Sequence, residues 1–143
     1  MESDYYKELS QADKTVYLSK LTLQNEKRLP DPFTIKDNNW SDDISMLPDM
    51  TYIDLFQYLV NTPSPFTMEN LKAYKSLEAY NFYLSGHVQD VFIHQIQESS
   101  YFYIKSEVLP SQRQGQKQQL YKVWIAVQET GWILTGNCTC MAG

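Results

Sequence analysis

The chain has 143 residues, of which 43% are hydrophobic and 20% charged, with a net charge of −5. That is the composition of an ordinary globular domain, long enough to bury a core without disulfide stapling. No apolar run approaches the roughly 20 residues of a spanning helix, and the amino end, Met1-Glu2-Ser3-Asp4, is acidic where a secretory leader is basic and then apolar. The expectation is a soluble intracellular protein of the nucleus or cytoplasm with no membrane partner.

The negative balance disfavours unaided binding to a phosphate backbone. Residues 1–100 hold 8 basic and 15 acidic side chains, residues 101–143 hold 4 and 2. The basic remainder, Lys105, Arg113, Lys117 and Lys122, reads as solvated loop, because four cations without interleaved exposed aromatics do not build a phosphate-tracking groove.

Along the chain, Ser10 is a candidate cap for a helix over residues 10–23, with Val16, Tyr17, Leu18, Leu21 and Leu23 as its apolar residues. From Leu29-Pro30-Asp31-Pro32 to Leu47-Pro48-Asp49 the prolines, Asn and Asp are dense and hydrophobicity has no period. This is a connecting segment, expected to be anchored by Phe33, Ile35 and Trp40. Thr51 and Asp54 start a short helix to residue 60, stopped by Pro63 and Pro65. Thr67 caps another over 67–85, whose rings are core residues, with Gly86 as its stop. The period then changes to alternation, predicting strands over 88–96, 101–109, 120–127 and 132–138. In the second, Phe102, Ile104, Ser106 and Val108 share one face and Tyr101, Tyr103, Lys105 and Glu107 the other. Glu98-Ser99-Ser100 and Glu129-Thr130-Gly131 are hairpin turns, and 111–119 is a longer loop. The fold class is therefore α+β: N-terminal helices, then a small antiparallel meander. The organisation expected is a helical and irregular segment over 1–66 and a helix plus meander over 67–143, joined as one compact unit.

The only cysteines, Cys138 and Cys140, end the last strand. Alternate strand residues hold their sulfurs too far apart for an easy disulfide. Two thiolates on one side can share zinc, but two ligands alone do not hold a structural ion; incidental thiols remain the other reading. His94 falls on the face of Val88, Phe92 and Ile96 and reads as a packed neutral histidine. His87 follows Gly86 and reads as a contact to a helix C-terminus.

Several runs carry a resemblance: Trp40-Ser41-Asp42-Asp43, then Tyr52-Ile53-Asp54-Leu55-Phe56, then Ser64-Pro65-Phe66-Thr67 through Glu78-Ala79-Tyr80-Asn81, and finally Cys138-Thr139-Cys140-Met141-Ala142-Gly143. Together they resemble the SWIM-type zinc-finger proteins of animals, a family that looks derived from mobile elements and often carries a downstream YqaJ-type viral recombinase, a nuclease-like domain. The resemblance covers nearly the whole chain. It implies zinc as cofactor, with Cys138 and Cys140 as the first two of four ligands. The remaining Cys-x-His pair, and any nuclease domain, would follow Gly143, so the chain looks cut within the motif. The family commonly has an aromatic at the position of His87, which fits a non-ligand.

The implied function is that of the N-terminal part of a SWIM zinc-finger protein. Its complete form would bind zinc and engage a protein or nucleic-acid partner. The alternatives are a metal-free scaffold docking partners through its 11 tyrosines, and an accessory region of a YqaJ-type recombinase. No enzyme is expected in the chain: it has no Ser-His-Asp set, phosphate-binding Gly-rich loop or His-Glu-x-x-His, and Asp42-Asp43 reads as a solvated acid pair.

Overall fold

The structure, a computed structural model, describes residues 2–50, 88–109 and 120–139. The helices expected over 51–60 and 67–85, Gly86, His87, the 111–119 loop and Cys140 lie outside the described residues. Within them the architecture is α+β. Two helices, α1 (Asp4–Glu8) and α2 (Gln11–Leu21), precede three short 3-10 turns (Pro32–Thr34, Asp37–Asn39 and Ile44–Met46). Four strands follow: β1 (Phe92–Gln95), β2 (Tyr101–Val108), β3 (Tyr121–Gln128) and β4 (Ile133–Cys138). They form one antiparallel sheet in the order β1-β2-β3-β4, the expected meander.

Helix α2 starts as its sequence predicts. Ser10 Oγ accepts from the Asp13 backbone N–H at 3.1 Å and donates to the Asp13 carboxylate at 2.7 Å, satisfying a backbone donor that the first turn leaves without a helical partner. Its buried face is narrower than expected. Tyr17 and Leu21 are buried, whereas Val16 is 55% exposed. Helix α1 was not foreseen; Ser3 caps it by accepting from Tyr6 N.

The segment after α2 is the irregular connection that its prolines demand, and Asp31 organises it. A residue preceding proline is biased to extended backbone, and Asp31, between Pro30 and Pro32, has φ −64° and ψ 121°. It caps the 3-10 turn by accepting from Phe33 N at 3.0 Å. The same carboxylate accepts from Tyr17 Oη at 2.8 Å and from Ser3 Oγ. One side chain thus ties the cap of α1, the middle of α2 and the turn together. The neighbouring Pro30 carbonyl accepts from Tyr103 Oη of β2 at 2.7 Å. Burial first, and then the adjacent carboxylate, push the Tyr17 phenol far above its usual range; burial does the same for Tyr103, with Asp31 again contributing.

The N-terminal segment packs on one face of the sheet. Tyr17, Leu21 and Leu29 form a core with Ile96, Tyr103, Trp124 and Ala126, flanked by half-buried Phe33, Ile35 and Trp40 as the sequence predicts. Trp124 is edge-on to Tyr17 (6.0 Å, 84°) and to Tyr103 (5.4 Å, 73°), pairs worth about 0.5–1.5 kcal/mol each beyond their buried area.

Strand register follows the alternation, with two departures. β1 is shorter than the predicted 88–96. Val88 makes an isolated bridge to Val108 with one ladder bond beside it, from Gln89 N to the Glu107 carbonyl, and Ser106 Oγ donates toward the Gln89 and Asp90 carbonyls, beside two weak strand formers. In β4, Val127 pairs with Ile133 but Ala126 with Thr135. The bulge turns the extra residue, Leu134, against the core. Both predicted turns are present, with Glu98 at φ 57° and Gly131 at φ 97°.

Two outcomes follow. Asp31→Ala leaves the Tyr17 and Ser3 hydroxyls without their acceptor, and urea titration should show a loss of about 2–4 kcal/mol with an unchanged m-value. Because the folded chain holds the Tyr17 and Tyr103 protons longer than the unfolded one, stability is full below about pH 10 and falls above it, by up to about 1.4 kcal/mol per pH unit for each tyrosine. Circular dichroism against pH should show a shallower alkaline loss in Tyr17→Phe than in the parent.

Candidate functional site

Cys138 sits at the carboxyl end of β4, opposite Val123, and is half-buried. The ladder continues one residue further: Thr139 N donates to the Lys122 carbonyl and Lys122 N to Thr139 Oγ1, both at 3.0 Å. The backbone that carries the first cysteine is therefore anchored from both sides in sequence. Just before it, buried Asn137 accepts from Lys20 Nζ of α2 at 2.9 Å and reaches Tyr5 Oη of α1 at 3.4 Å. This clamp between the helices and β4 had no sequence signal beyond an Asn in a strand, a residue depleted there.

His94 lies elsewhere. It is on β1, and β1 and β4 are the two ends of the sheet order, three strand spacings or roughly 14 Å apart. The pairing Phe92↔Lys105, Lys105↔Trp124 and Trp124↔Asn137 puts His94 on the face that carries Asn137, and Cys138 on the opposite one. One ion cannot span that distance through the sheet. His94 Nδ1 is 2.9 Å from the Asn39 carbonyl; since a carbonyl only accepts, Nδ1 carries the proton. Its ring packs 5.6 Å from Trp40. The packed-histidine reading holds in this form, although the fully buried residue of β1 is Ile93, on the other face. Among the described residues no three His, Cys, Asp or Glu side chains come together as a metal-holding group.

The largest departure concerns the basic remainder. Arg113 and Lys117 lie outside the described residues; Lys105 and Lys122 are on β2 and β3, as the alternation predicts, but Lys105 is not the solvated side chain expected of it. The Lys105 side chain is only 35% exposed. It lines a groove of about 580 Å³ between the 30s segment and the sheet, whose walls include Phe33, Ile35, Trp40 and Phe92. Its Nζ stands 4.2 Å from the Trp40 ring centroid and 4.0 Å from the Asp37 carboxylate. Burial pushes the Lys105 amine below its usual range; nearby Lys122 adds to this, and Asp37 and Glu107 oppose it. The Asp42-Asp43 pair is exposed as expected. Asp43 nonetheless caps the last 3-10 turn by accepting from Ser45 N (3.0 Å) and Ser45 Oγ (2.7 Å), bonds that hold its carboxyl below the usual range.

No protein family, curated protein or solved structure matches the chain.

The two neighbours on β4 should separate in a stability measurement. Asn137→Ala breaks the clamp to both helices and should cost about 1–3 kcal/mol by urea titration. Cys138→Ser, half-buried at the strand end, should stay within about 1 kcal/mol of the parent.

Proposed function

We propose that this chain is the N-terminal part of a SWIM-type zinc-finger protein, with Cys138 and Cys140 as the first two zinc ligands. Its complete form engages a protein or nucleic-acid partner. The observation that supports this reading is the placement of Cys138. It sits at the end of an antiparallel sheet, paired with Val123, with the next residue bonded to Lys122, a position from which further ligands could be supplied by residues outside those described. Two thiolates need two further ligands for a tetrahedral site. Zinc in a complete finger contributes on the order of 10 kcal/mol to folding, whereas the described helices and meander have a core of their own, of Tyr17, Leu21, Leu29, Ile96, Tyr103, Trp124 and Ala126.

Two features bear on the partner. The net charge of −5 makes a protein partner the better match for this part of the molecule. For a metal-free scaffold acting through tyrosines, those among the described residues, Tyr5, Tyr6, Tyr17, Tyr101, Tyr103 and Tyr121, are buried or half-buried, and the exposed ring there is Trp132, at 47%.

The test is a cobalt and zinc titration of this chain beside one extended through a Cys-x-His pair. Tight stoichiometric binding with a tetrahedral cobalt spectrum is expected in the longer chain alone, and is lost in its Cys138→Ser variant. A saturated tetrahedral spectrum in the 143-residue chain would overturn the ligand assignment. Salt-dependent binding of the extended chain to DNA, absent in Cys138→Ser, would make the partner a nucleic acid.

A further inference from the structure

The groove beside β2 combines three features that serve amine chemistry. One part of its wall is apolar and aromatic, from Phe33, Ile35, Trp40 and Phe92, and another is polar, from Gln89, Asp90, Ser106 and Glu107. A half-buried primary amine, Lys105 Nζ, opens onto it. A carboxylate, Asp37, stands 4.0 Å from that nitrogen while its own side chain is fully exposed. Lysines become nucleophiles when partly desolvated or set near a second cation, and Lys122 lines the same groove. The lowered proton affinity of Lys105 is in keeping with this.

We propose that Lys105 is a reactive amine that condenses reversibly with an uncharged aromatic aldehyde bound in this groove, with Asp37 as the proton-transfer group. The ring of the ligand is received by Phe33, Ile35 and Phe92. An uncharged body is specified because Asp90 and Glu107 also line the groove, which disfavours a phosphorylated or carboxylated ligand. The Nζ lone pair attacks the carbonyl carbon and the C=O π pair moves to oxygen, which takes a proton to give a carbinolamine. Nitrogen loses one proton, the hydroxyl leaves as water with a proton relayed by Asp37 while the nitrogen lone pair forms the C=N bond, and the resulting iminium gives up its remaining N–H proton to Asp37. One amine and one aldehyde yield one imine and one water, with no change in oxidation state.

The test treats the full chain with 2-hydroxybenzaldehyde and sodium cyanoborohydride, which reduces the imine to a stable secondary amine, and maps the modified lysines by mass spectrometry. Lys105 is expected to be labelled about tenfold faster than exposed Lys36, and Lys105→Arg to lose the fast phase while the rate at Lys36 is unchanged. Asp37→Asn should slow labelling at Lys105 by about tenfold or more, without affecting Lys36. With acetaldehyde, which has no ring for the groove to hold, the preference for Lys105 should shrink. Labelling of Lys105 no faster than Lys36 would overturn the proposal, and an Asp37→Asn variant as fast as the parent would overturn the role given to Asp37.

Discussion

The Asp31 carboxylate is the point at which the N-terminal half of this protein is tied together. It accepts hydrogen bonds from Ser3, Tyr17 and the Phe33 backbone, so two helices and a turn share a single acceptor. Hydrogen bonds to a charged group are about twice as strong as neutral ones. The prolines on either side restrict its backbone beforehand, so little of that energy is lost in ordering it. With Tyr103 bonded to the adjacent Pro30 carbonyl, the strap that follows α2 is held by one phenol from the helix and one from the sheet, on the two sides of Trp124.

This arrangement explains which face of the sheet receives the helices. The face of β2 that looks apolar, with Phe102, Ile104 and Val108, is not the one the strap and helices cover. They cover the face of Tyr103, whose side chain is fully buried. Tyrosine suits that position because its ring packs like a hydrocarbon and its hydroxyl can be satisfied by a polar strap. The two indole N–H groups nearby, of Trp40 and Trp124, are buried without a hydrogen-bond partner among the described residues, each at a cost of about 1–3 kcal/mol. The edge-to-face packing of Trp124 on both tyrosines offsets part of that cost. Along the outer edge of β1, Ser41 exchanges two backbone hydrogen bonds with Ile93, at 2.7 and 2.8 Å. The strap that fills the groove's upper wall thus also covers a sheet edge that would otherwise be open to pairing.

The two candidate sites sit at different places on this frame and rest on different parts of it. The cysteine end of β4 depends on the β3 ladder and on Asn137, which links it back to α1 and α2. The Lys105 groove depends on the strap, because Asp37 and Trp40 belong to it. A change that loosens Asp31 would therefore reach the groove before it reached Cys138.

Much of this was legible in residue order. Ser10 as a cap, four alternating segments with short turns between the first two and between the last two, and Phe33, Ile35 and Trp40 as anchors are all local statements. Capping, side-chain alternation and turn chemistry act over a few residues and need no partner. The role of Asp31 had a weak signal, an acid before proline at a turn start, but its acceptance from Tyr17 and Ser3 joins residues 14 and 28 positions away. The fate of Lys105 had none: a lysine in an alternating strand reads as solvated until a strap from residues 32–41 is laid over it. The same holds for His94 and Cys138, which lie within 45 residues of each other in sequence yet at opposite edges and on opposite faces of the sheet. Local chemistry decides which residues become helix, turn and strand. Strand order and the docking of the strap, set by contacts between distant segments, decide which of those side chains meet.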